Sequence, residues 1–353
     1  MLLSFNNANW CHVICFLTLF VGISVTSCSV SLSPCSPVRS SPQSPTAKSG
    51  LTWEDAKNVG PQNMSVWGIG FDEASSMPSA VGFHTLRVES NVVITAPYHY
   101  LNRSNETQTR RLFVLLDERQ QPGAIGNGQE ALYSDVTVEP GSETTLTLAI
   151  PPLAPGAHDL IVVNILTPHD SPGLDYSRYT LLAGDAGEQI PRDHVSLEDT
   201  NLPLDNLSLA ITNNIHGSQK KLRKWSAVQT EPGEEIEYAI YAGYMYVTCP
   251  GARKPLRGDV HRFAILTFLD YRQVAWRPGE ETVFYGEVSK GTIGRILGGV
   301  QAPKRTGQHN LLILLIENPG VVLGNIVRSP DDPRPATLLP WFIDAEDVVI
   351  QVE

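Results

Sequence analysis

The chain says the same thing twice. Ala96-Pro97-Tyr98-His99-Tyr100-Leu101 returns as Ala242-Gly243-Tyr244-Met245-Tyr246-Val247, and Leu115-Leu116-Asp117-Glu118-Arg119-Gln120 returns as Phe268-Leu269-Asp270-Tyr271-Arg272-Gln273. Pro140-Gly141-Ser142-Glu143-Thr144 is matched by Pro278-Gly279-Glu280-Glu281-Thr282, and Gly156-Ala157-His158-Asp159-Leu160 by Gly307-Gln308-His309-Asn310-Leu311. Four blocks in one order, at offsets of 146, 153, 138 and 151 residues, are the mark of one module written in tandem. Each copy must close its own core, and 353 residues are enough for two.

The local pattern in both copies is β. Met64–Phe71, Val92–Leu101, Arg111–Leu116, Thr144–Ile150 and His158–Leu166 are rich in Val, Ile, Leu, Tyr and Thr, and turn residues separate them. Thr145, Thr147 and Ala149 alternate with Leu146, Leu148 and Ile150, the period of a strand with one buried face. Leu207–Ile211, Ile236–Val247, His261–Leu269, Glu281–Val288, Asn310–Ile316 and Val348–Val352 repeat the theme. Nowhere do apolar residues recur at helical spacing over twelve residues. The expected fold is all-β: two tandem Ig-like β-sandwich domains related by internal duplication. They are placed at 51–187 and 205–353, with an acidic, proline-bearing linker at 188–204. A strand ending in an acidic turn, then Pro-Gly with an acidic residue, then Gly-x-His leading an apolar strand resembles bacterial Ig-like modules of the cell-adhesion-related type.

The N-terminus reads as an export signal. Residues 1–27 hold no Asp, Glu, Lys or Arg, and Val13 to Val25 is largely apolar but short for a membrane span. Val25-Thr26-Ser27-Cys28 follows at once and resembles the lipobox of bacterial lipoproteins, which implies that Cys28 is the lipidated mature N-terminus. The absence of Lys and Arg from the first ten residues departs from that pattern and puts Met1 in question as the true start. Residues 28–50 follow as a tether: 29–50 carry eight Ser and four Pro, too little apolar surface to offset ordering entropy. The expected location is therefore outside a bacterial membrane, anchored in the cell envelope. Once the signal is removed and Cys28 lipidated, only Cys35 and Cys249 remain, which excludes a disulfide framework or a cysteine metal site.

Composition narrows the partner classes. A formal charge of -11 opposes binding to a nucleic-acid backbone. Lys220-Lys221-Leu222-Arg223-Lys224 is the local exception, read as a solvated turn. No Gly-x-Ser-x-Gly elbow, His-Glu-x-x-His pair or nucleotide fingerprint occurs, and Asp331-Asp332 lacks the spacing of a calcium loop. No cofactor or metal is expected. Residues present in both copies, His158 and His309, Asp117 and Asp270, are assigned to the fold, as corner and turn residues. Tyr98 and Tyr100, with Tyr244 and Tyr246, are either a core face or an aromatic platform for sugar.

What the copies do not share is the place to look for binding. Between the Gln of the second block and Pro-Gly, the first copy has 19 residues and the second four; between the Thr of the third block and the turn Gly, the first has 11 and the second 24. The second-copy excess, read as an exposed loop, carries Lys290, Arg295, Lys304 and Arg305 with no acid between them, and these are the candidate binding residues. The expected function is a non-catalytic cell-envelope lipoprotein whose loops bind or scaffold a protein or glycan at the cell surface. The alternatives are an exported carbohydrate-active hydrolase, with carboxylates drawn from distant parts of the chain, and a structural spacer without a ligand.

Overall fold

The structure, a computed structural model, describes residues 66–69, 76–77, 84–126, 131–167, 174–184, 192–200, 209–213, 225–243, 260–289, 292–320 and 343–353. The export signal, Cys28, the tether, residues 220–224, Tyr244, Tyr246, Cys249, Lys290 and Asp331-Asp332 lie outside them.

The described residues are strands and turns, with no helix among them. The first half holds β1 (Val66–Ile69), β2 (Ser76–Met77), β3 (His84–Val88), β4 (Ile94–Leu101) and β5 (Gln108–Leu116). It continues with β6 (Arg119–Gln120), β7 (Ser134–Val138), β8 (Glu143–Ile150), β9 (Gly156–Thr167) and β10 (Leu174–Ala183). The connecting segment contributes β11 (Val195–Ser196). The second half holds β12 (Leu209–Thr212), β13 (Ala227–Thr230), β14 (Glu235–Gly243), β15 (Val260–Leu269) and β16 (Arg272–Val274). It ends with β17 (Val283–Ser289), β18 (Ile293–Gln301), β19 (Gly307–Glu317) and β20 (Ile343–Val352).

These strands make four stacked sheets. A small sheet of order β1-β4-β8 faces a large one of order β2-β3-β10-β9-β5-β6, with β7 also on β5. The second half has the same plan: β12-β14-β18 faces β11-β17-β15-β19-β20-β13, with β16 also on β15. Tyr98, Leu112, Val114, Leu148, Leu160 and Leu181 fill the first sandwich, and Tyr238, Ile240, Phe263, Ile296, Ile313 and Ile350 the second. A third apolar layer joins the large sheets back to back: Phe113, Leu115, Ile161, Val163 and Ile165 meet Ala264, Leu266, Phe268, Leu312, Leu314 and Ile316. That layer explains two sequence patterns. The outer strand β8 alternates, exposed Thr145 and Thr147 against buried Leu148 and Ile150. Leu160–Val163 and Leu311–Ile316 are apolar without a break, because strands covered on both faces have no solvent side.

The registers correct the reading of the repeats. The Asp-x-Arg-Gln and Gly-x-His blocks occupy equivalent places. Asp117-Glu118 joins β5 to β6 and Asp270-Tyr271 joins β15 to β16, all four residues with φ between 48° and 63°, as two-residue type I′ turns require. The Tyr-x-Tyr block does not correspond. Val88 and Thr230 hold equivalent places beside β10 and β20, and the turns that follow carry Asn91 and Gly233, both at positive φ. Counting on from these turns, Ile240 takes the place of Tyr98. The Pro-Gly blocks also differ: Pro140-Gly141 opens β8 of a small sheet, whereas Pro278-Gly279 precedes β17 of a large one.

This shift removes the second-copy insertion as a loop. Residues 293–301 are β18, the counterpart of β8, and Ile296 and Val300 belong to the core. Its glycines are close-approach positions rather than flexible ones. A Cβ on Gly298 would sit 2.3 Å from the Tyr238 ring, and one on Gly294 2.6 Å from Leu197. Arg295 lies exposed on the outer face of this strand, and Lys304 and Arg305 lie exposed in the turn after it. The first-copy excess is structural as well: Ala124 and Ile125 enter the core, and Ala149 N–H donates to Ala124 O, as Gly299 N–H donates to Trp276 O in the second half.

Candidate functional site

Where the two halves meet, equivalent residues exchange bonds across a local two-fold axis. Gln120 N–H donates to Gln273 Oε1 at 2.7 Å, and Gln273 N–H donates to Gln120 Oε1 at 2.8 Å. The side-chain amide of Gln120 then donates to Tyr271 O, and that of Gln273 to Glu118 O. An isologous contact of this kind is what a symmetric dimer makes, here within one chain. The two glutamines recur in the sequence because they meet each other.

Histidines at the turns are also matched between halves. His158 Nδ1 lies 2.7 Å from Asp117 Oδ2 and its Nε2 2.9 Å from Ala154 O; His309 makes the same contacts with Asp270 at 2.7 Å and Arg305 O at 2.8 Å. Two acceptors, one of them a carboxylate, favour an imidazolium with both N–H groups donating, and the Asp117 hydrogen bond draws the His158 pKa upward. Both ring nitrogens are committed, so neither histidine stands ready as a general base.

The axis relates positions, not chemistry, and the charges gather on one side of it. Arg178 is fully buried; its guanidinium grips Asp159 at 2.6 to 3.1 Å and donates to the Glu317 and Asn318 carbonyls of the other half at 2.7 and 3.0 Å. Glu118, also fully buried, accepts at Oε2 from Arg192 at 2.9 and 3.2 Å and from the Tyr285 hydroxyl at 2.9 Å. Its Oε1 has no hydrogen-bond partner among the described residues. Burial, then the negative Asp159, pushes the Glu118 carboxyl up to about 7, against the pull of Arg192. Tyr271, which holds the place of Glu118 on the opposite side, stacks on Arg111, whose guanidinium lies between the Tyr133 ring at 4.1 Å and the Tyr271 ring at 4.4 Å.

Asp117, Glu118, Asp159, Arg178, Arg192 and Tyr285 form one connected ionisable cluster. Each charge in it has an opposite charge or a carbonyl within reach, and it lies between the two large sheets. Among the described residues no group of three or more His, Cys, Asp or Glu side chains is arranged to hold a metal ion. Sequence reasoning placed Asp117 and His158 at turns but missed the roles of Glu118, Arg178 and Arg192. A signal was present: at the matched turn one copy carries Glu and the other Tyr, the substitution expected where a symmetric contact has become asymmetric.

No family model and no curated protein matches the chain. Among solved structures, it is similar to the CARDB domain of a Pyrococcus furiosus protein crystallised in complex with di-metal ions, with 12% identity over 28% of this chain and 79% of that one, at a TM-score of 0.22. It is also similar to the fibronectin(III)-like modules of Clostridium thermocellum CbhA, with 12% identity over 76% of this chain and 88% of that one, at a TM-score of 0.18. Both are Ig-like β-sandwich types, and the likeness is one of fold alone.

Proposed function

We propose that this chain is a non-catalytic cell-envelope lipoprotein in which two β-sandwiches, fixed back to back, serve as one rigid binding or scaffolding block. The observation that carries the reading is the shared apolar layer between the large sheets, closed by the Gln120–Gln273 exchange and by the Arg178 bonds to the opposite half. A block of this kind holds its two outer small sheets and its loop poles at fixed separation, which suits presentation of a surface to a protein or glycan. The ionisable groups of the interface are engaged with one another, consistent with a structural rather than a chemical use.

Lipidation at Cys28 supplies the anchor in this reading, and residues 28–50 supply the reach. Cys28→Ser is expected to move the protein from the membrane fraction to the soluble one while leaving the circular-dichroism spectrum of its strands unchanged. A variant that still sediments with membranes rules out the lipid anchor. Capture from detergent-solubilised membranes, repeated with charge reversals at Arg295, Lys304 and Arg305, asks whether the exposed basic residues of the second half touch the partner. Undiminished capture by those reversals would place the binding surface elsewhere.

A further inference from the structure

The connecting segment between the halves is more than a link. From Arg192 to Thr200 it runs as a strap over the open side of the second sandwich. β11 lies parallel to β17, Val195 beside Gly286 and Ser196 beside Glu287. Leu197 N–H donates to Glu287 O at 2.9 Å, and Thr200 N–H donates to Ile293 O at 2.9 Å. The strap therefore bonds to β17 of one sheet and to β18 of the facing sheet, and Leu197 fills the space that glycine leaves at Gly294. Its charged tie to the first half is Arg192, whose side chain is 11% exposed and bonded to Glu118.

We propose that the Glu118–Arg192 pair is a proton-operated latch: uptake of a proton by Glu118 releases the inner end of the strap and loosens its hold on β17 and β18. The groups around Glu118 set the sign. Asp117 stands next to it in its own turn and is itself bonded to His158; β9 brings Asp159, β10 brings Arg178, β17 brings Tyr285, and the strap brings Arg192 with His194 close behind. Burial and Asp159 push the Glu118 carboxyl up, and Arg192 is the cation that opposes them and favours the carboxylate. Tyr285 belongs to the second half and Asp159 and Arg178 to the interface, so the carboxyl stays covered when the strap lifts. Removing Arg192 from a carboxyl that remains buried raises its proton affinity further, and by linkage protons then favour release. A protonated Glu118 leaves Arg192 with Asp117, at 3.9 Å, as its remaining carboxylate. The Glu118 carboxyl titrates at about 7, so the latch works across the neutral range.

Hydrogen exchange on the full chain, followed by mass spectrometry from pH 5.5 to 8.5 and corrected for the intrinsic rate, tests this. Protection of the Leu197 and Thr200 amides is expected to fall roughly tenfold, the value of one charged hydrogen bond, as the pH drops through the unit above the Glu118 pKa of about 7, and to stay level below it, while β15 and β19 stay protected. Glu118→Gln is expected to hold the strap at the weakly protected level at every pH. Tyr285→Phe removes a hydrogen bond that keeps the carboxyl down and is expected to move the midpoint to higher pH. Protection that does not change with pH overturns the latch. So does protection that is lower at alkaline than at acid pH, which would mean that Glu118 hydrates when the strap leaves, or a Glu118→Gln variant that keeps the wild-type pH curve. If Glu118→Gln does not fold, an unmoved midpoint in Tyr285→Phe is sufficient to reject the proposal.

Discussion

Arg178→Ala is expected to destabilise the protein by roughly 3–5 kcal/mol, the usual result of stripping one partner from a buried ion pair. The side chain is fully buried, and truncation leaves Asp159, 3% exposed, without its counter-ion. It also leaves the Glu317 and Asn318 carbonyls without their donor, and an orphaned buried acceptor adds its own cost. Because these acceptors belong to the opposite half, the damage falls on the joint. Denaturant unfolding, a single transition for a block with a shared apolar layer, is expected to separate into two steps in the variant. Replacing the pair together, as Arg178→Met with Asp159→Leu, is expected to recover part of the loss, since the uncompensated charge is gone. A loss below about 1 kcal/mol, far under the usual range for a broken buried pair, would show that the guanidinium is not needed to hold the halves together.

The second large effect is hidden in the wild type and appears only when one of two buried groups is removed. Glu118 is raised from 4.5 to about 7, so its contribution to stability is fully present below pH 4.5 and is lost as pH rises through 7. His261, 4% exposed and stacked on Phe263, is lowered by burial from 6.5 to about 4. Its contribution is present above pH 6.5 and is lost as pH falls through 4. Each shift corresponds to about 3 kcal/mol, over nearly the same pH window and with opposite sign. The two slopes oppose each other in the wild type. In Glu118→Gln the stability relative to wild type is expected to climb by about 3 kcal/mol between pH 4.5 and 7.5. In His261→Gln it is expected to fall by a similar amount between pH 4 and 6.5. Difference curves are the quantity to measure, because His158 and His309, both raised, titrate alike in every variant. Two flat difference curves would show that neither group is held away from its solution pKa.

The strands with a strong apolar pattern were legible in the sequence. The regions assigned to β4, β5, β8, β9, β15, β17, β19 and β20 all formed strands, because runs of Val, Ile, Leu and Tyr between turn residues leave little else. β3, β7, β10, β13 and β18 went unassigned. β18 reads Ile-Gly-Arg-Ile-Leu-Gly-Gly-Val-Gln, and its glycines imitate a loop because Tyr238 and Leu197 leave no room for a Cβ. The repeats were half informative. Asp-x-Arg-Gln and Gly-x-His keep their places because a hairpin and a corner depend on them, whereas Tyr-x-Tyr and Pro-Gly are common enough in β proteins to recur out of register. The joint was also written in the chain, in the unbroken apolar runs of β9 and β19. The same runs suit a strand deep in a single core, so only the stacking of sheets tells the two apart. The ionic cluster could not be read at all: Glu118, Arg178, Arg192 and Tyr285 are scattered along the sequence, and only the folded interface brings them together.

The isologous joint has a consequence for how the chain is made. An apolar face made to be covered by the other half stays exposed, and able to stick to another copy, until that half is present. Once β10 has emerged where the chain folds, the first half can close, yet Phe113, Leu115, Ile161, Val163 and Ile165 have nothing to cover them. Their partner surface is complete only once Ile343 has followed, on the order of ten seconds later at ordinary synthesis rates. During that interval two emerging chains carry exposed apolar faces, and the encounter between them competes with the wait for the proper mate. Covalent linkage decides the contest, because a tethered mate is present at a local concentration in the millimolar range as soon as it folds. Carrying both halves in one chain thus turns a concentration-dependent assembly into an intramolecular one, and the hazard is confined to the seconds before the second half is present.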